Sequence, residues 1–144
     1  MKIAIAADHG GYDLKEEIKN YFTDIEWLDL GTDSPDSVDY PDYAHKMAKT
    51  LQNNEAPLGI LVCGTGVGIS IAANRHKGIR AALIYSDEVA HLAKQHNNAN
   101  VLVFGGRTMK PVDVMRYINI FLREDFVGER HQRRLDKIEQ VEDC

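Results

Sequence analysis

One cysteine stands at the end of a short apolar run and is followed by glycines at every second position, in Gly59-Ile60-Leu61-Val62-Cys63-Gly64-Thr65-Gly66-Val67-Gly68-Ile69-Ser70-Ile71-Ala72-Ala73-Asn74. The pattern reads as strand, loop and helix. Glycine at 64, 66 and 68 removes the Cβ atoms that would keep a ligand from the backbone, so successive N–H groups can turn toward one anion. The helix that follows adds the partial positive charge of its first turn. Cys63, at the edge of such a loop, meets a field that favours thiolate over thiol, and a thiolate is a base or a nucleophile. Two plainer readings stay open: a buried, inert core cysteine, and a glycine turn that binds without catalysing. The dinucleotide fingerprint G-x-G-x-x-G fails letter by letter. The P-loop fails because Thr65 stands where lysine is required.

Further candidates lie along the chain. Val89, Leu92, Ala93 and His96 follow helical spacing, which puts His96 at the C-terminal end of a buried stripe. It is either a complement to the helix dipole or, since imidazole titrates near neutral pH, a proton donor. Asp8 and His9 end the first apolar run, and Asp8 can be a ligand or a cap for the turn after it. His45, His76 and His91 read as surface positions. In the last segment, residues 129–143, Arg130, His131, Arg133 and Arg134 crowd the start and Glu139, Glu142 and Asp143 the end. Helix stability alone prefers the reverse order. Arg130 and Arg134 share a face and can grip one phosphate, the alternative being a solvated tail that pairs with its own carboxylates.

The elements that must position these residues alternate. Strands are predicted at Lys2 to Ala7, Glu26 to Leu30, the run into Cys63, Ile79 to Tyr85 and Asn100 to Phe104. Helices are predicted at Asp13 to Phe22, around Tyr43 to Leu51, after Gly68, from the N-cap Ser86 to about Gln95, from Pro111 to Arg123 and in the last segment. This alternation calls for an α/β fold, a three-layer αβα sandwich of Rossmann-like type with about five parallel strands and a protruding C-terminal helix. Ligands of such sheets sit beyond the carboxyl ends of the strands, where Asp8-His9, Cys63 to Gly68 and Gly105 to Arg107 fall together.

The 144 residues, with 44% hydrophobic content, fit one domain with no repeat or linker. A net charge of -5 with mixed signs argues against a nucleic-acid or membrane surface. The start is too quickly charged for a signal peptide, so a cytoplasmic protein is expected. Cys63 and Cys144 make no disulfide framework or zinc spacing, no metal-ligand cluster is visible, and Cys144 is expected to be an exposed thiol without a role.

Taken together, Ala7-Asp8-His9-Gly10-Gly11, Asp39-Tyr40-Pro41, Cys63 to Asn74, His96-Asn97, Asn100-Val101, Phe104-Gly105-Gly106-Arg107 and Arg130-His131-Gln132-x-Arg134 resemble the ribose-5-phosphate isomerase B family, which includes allose- and galactose-6-phosphate isomerase subunits. The resemblance spans nearly the whole chain. It implies a cofactor-free, metal-free aldose–ketose isomerase acting on ribose 5-phosphate through a cis-enediolate, with a 6-phospho-hexose as the alternative substrate. A phosphate- or nucleotide-binding module without turnover is the alternative of another class. The resemblance further implies that His96, helped by Thr65, opens the furanose ring and that Cys63 shuttles the proton between C2 and C1. The amides of Gly64, Thr65, Gly66, Val67 and Gly68 form the anion hole. Asp8, Tyr40 and Asn97 hold hydroxyls, and His9, Arg107, Arg130 and Arg134 surround the phosphate. One branch of the family uses a loop glutamate as base; Ile69 stands at that position here, which implies the cysteine branch. Homodimers or tetramers with shared active sites are implied as well.

Overall fold

The computed structural model describes residues 1–141; Glu142, Asp143 and Cys144, and with them the expected exposed thiol, lie outside the described residues. Five strands form one all-parallel sheet: β1 Lys2–Ala7, β2 Glu26–Asp29, β3 Leu58–Cys63, β4 Ala81–Leu83 and β5 Val101–Gly105, in the order β2-β1-β3-β5-β4. Between and after them come α1 Tyr12–Tyr21, α2 Tyr40–Gln52, α3 Val67–Ala73, α4 Asp87–Gln95, α5 Pro111–Arg123 and α6 Arg130–Glu139.

The strand order dictates the layers. Right-handed crossovers that step across the sheet in opposite directions place their helices on opposite faces. β1 to β2 and β4 to β5 step one way, β2 to β3 and β3 to β4 the other. Accordingly Leu14 and Ile18 of α1, Ala90 and Ala93 of α4 and Val114, Ile118 and Phe121 of α5 pack on Ile3, Ile5, Ile60, Val62 and Phe104. Ala44, Met47 and Ala48 of α2 with Ile69 and Ala73 of α3 pack on Ala4, Ala6, Leu61, Cys63 and Val103. Alternate residues of one strand thus serve two cores, and both are closed to water. This is the expected three-layer sandwich.

Several boundaries differ from the sequence reading, and three of the differences have a visible physical reason. α2 begins at Tyr40, because Pro41 falls in its first turn, where a fixed φ and a missing N–H are tolerated. β4 shrinks to Ala81–Leu83 at the sheet edge. There the Asn74 side chain takes the Ala81 N–H at 2.8 Å and donates to its carbonyl at 2.9 Å, in place of a neighbouring strand. α6 stops at Glu139 and lies on the molecule through His131 and Leu135, with Arg130 and Arg134 facing outward. No helix among the described residues is long and apolar enough to cross a membrane.

Candidate active site

β1, β3 and β5 are neighbours in the sheet, so the loops leaving their carboxyl ends lie side by side. The Gly106 amide donates to the Cys63 carbonyl at 2.8 Å and the Arg107 amide to the Gly64 carbonyl at 2.9 Å. A Cβ on Gly10 would come within 3.0 Å of the Gly64 nitrogen, so the first loop touches the second at backbone distance.

Cys63 is the last residue of β3 and is 5% exposed. Its Sγ accepts the Gly66 N–H at 3.2 Å. The turn that makes this contact uses Gly66 at φ 81°, a left-handed conformation, and leaves no room for a side chain, since a Cβ would lie 2.6 Å from Leu83 Cδ1. The sulfur is therefore largely buried, yet its polar contact comes from the loop. Of the five amides expected to form the anion hole, two already have partners. Gly66 serves the sulfur and Val67 donates to Thr65 Oγ1 at 3.2 Å, while the amides of Gly64, Thr65 and Gly68 donate to no acceptor among the described residues. Using its oxygen as acceptor leaves the Thr65 hydroxyl proton free to donate.

Four other expected residues join this crevice. Asp8, 6% exposed, accepts the amides of Gly10 at 2.9 Å and Gly11 at 3.2 Å through Oδ1, so it is a turn cap, with Oδ2 outside those bonds. His9 Nδ1 accepts the Val38 amide at 3.2 Å, which assigns the proton of the neutral ring to Nε2 and ties down the loop before α2. The Tyr40 ring lies against Gly68, where a Cβ would stand 2.9 Å from its hydroxyl oxygen. Arg107 extends over Gly64, its Nη1 3.4 Å from where a Cβ would be.

His96, Asn97, Arg130 and Arg134 are elsewhere. α4 starts beyond the carboxyl end of β4, capped by Ser86 Oγ on the Val89 amide at 3.1 Å, and runs back along the sheet. His96 therefore closes it at the opposite edge, where the Asn98 carbonyl binds the Arg80 guanidinium at 2.9 and 3.1 Å beside the starts of β4 and β5. Within one chain His96 does not face Cys63. Its ring instead stacks on that of His131 in the first turn of α6, with centroids 4.1 Å apart and planes 14° from parallel. That stack sets His96 and Asn97 beside the exposed Arg130 and Arg134, neither of which pairs with a carboxylate among the described residues. The expected site residues thus fall into two groups, one at each end of the strands.

Sequence reasoning grouped His131 with the surface cations. Its spacing with Leu135 and Ile138, the apolar stripe of α6, was the signal that it points inward.

The model of the family described as Ribose/Galactose Isomerase matches residues 3–138. The chain is 42% identical over 143 residues to ribose-5-phosphate isomerase B of Escherichia coli, covering 98% of this chain and 96% of that one. A crystal structure of a ribose 5-phosphate isomerase from Thermotoga maritima is 52% identical, with a TM-score of 0.95 over 97% of this chain and 98% of that one. The Mycoplasma genitalium ribose-5-phosphate isomerase B, solved with bound ribulose-5-phosphate, is 44% identical with a TM-score of 0.90 over 96% and 94% of the two chains. With matches of this length in sequence and backbone alike, the chain belongs to the ribose/galactose isomerase family.

Proposed function

We propose that this chain interconverts ribose 5-phosphate and ribulose 5-phosphate through a cis-enediolate, with Cys63 as the base. The observation that carries the reading is local. A sulfur that accepts an N–H at 3.2 Å stands beside three unclaimed amides, so proton acceptor and oxyanion donors are adjacent.

Ring opening comes first. The C1–O4 bond breaks as O4 takes a proton from His96, and the anomeric hydroxyl gives up its proton through the Thr65 hydroxyl. The Cys63 thiolate then removes the C2 proton and the amides of Gly64, Thr65 and Gly68 hold the negative oxygen of the enediolate; the hydroxyl proton passes from O2 to O1, and the thiol, whose proton can exchange with solvent in the meantime, protonates C1 as the carbonyl forms at C2. Asp8 through Oδ2, Tyr40 and Asn97 hold hydroxyls. His9, Arg107, Arg130 and Arg134 hold the phosphate and so position carbons that lie away from it.

Because the cysteine half and the histidine half occupy opposite edges of one sheet, we assign the working enzyme to a homodimer, or a pair of dimers. Each site joins Cys63 of one chain to His96 and the α6 arginines of a second. The reaction is a step of the non-oxidative pentose phosphate pathway, a cytoplasmic route, and the chain is assigned to it on that ground. The test is incubation with ribose 5-phosphate in D2O, followed by NMR. Ketose should form and solvent deuterium should enter C2 of the recovered aldose. An enzyme that converts allose 6-phosphate with the higher kcat/KM would move the reading to six-carbon substrates, and no exchange with either sugar would overturn it.

A further inference from the structure

Among the described residues, Nε2 of His131 is the buried side-chain nitrogen or oxygen without a hydrogen-bond partner. The residue is 4% exposed and shares the inner stripe of α6 with Leu135. An apolar side chain would fill that place with no nitrogen walled in, so helix packing alone gives no reason for a histidine. The reason lies in what the ring touches. His96 ends α4 half-exposed, and its side chain makes no hydrogen bond among the described residues. The aromatic ring stacked against it among the described residues is the His131 imidazole, 4.1 Å away between centroids and 14° from parallel.

We propose that His131 is the positioning residue of the ring-opening acid: its buried imidazole is the platform that holds the His96 ring in the plane from which the proton reaches the furanose oxygen. This rests on the isomerase reading above and adds a residue to it. A ring with neither hydrogen bond nor face contact would rotate about the bond to its Cβ, whereas a stacked ring keeps its plane while both nitrogens stay free. Charge supports the same division of labour. Burial, with His96 and the guanidinium groups of Arg130 and Arg134 nearby, pushes the basicity of His131 down, against a smaller opposite effect of Glu129. The His131 face against His96 is then that of an uncharged ring.

The platform can be separated from simple packing because one substrate needs ring opening and the other does not. Ribose 5-phosphate is a furanose, whereas ribulose 5-phosphate, whose C5 oxygen carries the phosphate, is open-chain. Exchange of its C1 hydrogen with D2O therefore reports the Cys63 step without the His96 step. In His131→Ala, kcat for ribose 5-phosphate should fall by at least about tenfold while KM and the C1 exchange of ribulose 5-phosphate stay within about twofold. His131→Phe keeps a flat ring without nitrogens and should retain kcat to within about threefold. The inference is overturned if both substrates lose rate together in His131→Ala, if that variant matches the wild type, or if His131→Phe loses as much as His131→Ala. A wild-type protein that leaves ribose 5-phosphate unchanged is a different failure, since the isomerase reading then falls and takes the platform with it.

Discussion

At Cys63 the proposed chemistry depends on a single donor. The Gly66 amide is aimed at the sulfur because Gly66 adopts φ 81°, and the Leu83 side chain then closes over the glycine. Two substitutions separate the atom that reacts from the turn that prepares it. Cys63→Ala removes the base and leaves the turn, so kcat should fall by about 10² or more while the melting temperature moves by only a few degrees. A variant that kept more than about a tenth of wild-type kcat would remove the cysteine from the base role. Gly66→Ala keeps the sulfur but forces a Cβ into a left-handed residue and onto Leu83, so it should lose activity and also about 1–2 kcal/mol or more of stability. Urea unfolding with kcat on the same samples checks both. Much of this gathering was legible in the residues, since Cys63, the loop glycines and Arg107 converge as the strand pattern requires, while Tyr40 was expected only from the family resemblance. The division of the amides was not, because Thr65 Oγ1 could bond Val67 or a ligand equally well until the loop had a shape. Asp8 illustrates the same limit: a carboxylate at a strand end can cap or bind, and here one oxygen caps.

The elements were legible where local chemistry sets their ends. α5 runs from Pro111 to Arg123 as read, with proline in its first turn, and α4 starts at its Ser86 cap. β4 was overestimated because edge position, a tertiary fact, decides how far an apolar run stays paired. The joint between α1 and β2 was not legible at all. Lys15 is 1% exposed, and its Nζ reaches the Asp29 carboxylate at 2.9 and 2.7 Å, with Lys19 also at 2.7 Å from the same group. A buried ammonium is tolerated only with its partner. Asp29→Ala should therefore destabilise by about 3–5 kcal/mol, whereas Lys15→Met should be close to neutral. Equal losses in urea titrations of the two variants would show that the pair itself, and not the stranded charge, sets the stability. Acid should reproduce the aspartate loss. Burial raises the pKa of Asp29, but the hydrogen bonds from Lys15, Lys19 and the Gly31 amide bring it below its ordinary 3.8, so the stabilisation is complete above that value and lost as pH falls through the lowered one.

For the molecule as a whole, the direction of each crossover decides what one chain can do alone. In a parallel sheet every helix that follows a strand begins at the carboxyl edge and ends at the other. A histidine at the end of α4 and a cysteine at the end of β3 are thus kept apart by the fold itself, a consequence already contained in the alternation of elements and in the Ser86 cap. In the proposed two-fold dimer the histidine edge of each chain meets the cysteine edge of the other, which gives two composite sites. Complementation tests this. Cys63→Ala and His96→Asn proteins should each be inactive alone. Unfolded together and refolded as a mixture, half of the dimers carry one chain of each kind, and each such dimer has one site with both native residues and one with neither. Activity should return to about a quarter of the wild-type level for random pairing. If each chain instead built its own site, every site in the mixture would lack one residue and the refolded sample would stay inactive, which would overturn the shared-site assembly while leaving the roles of Cys63 and His96 intact.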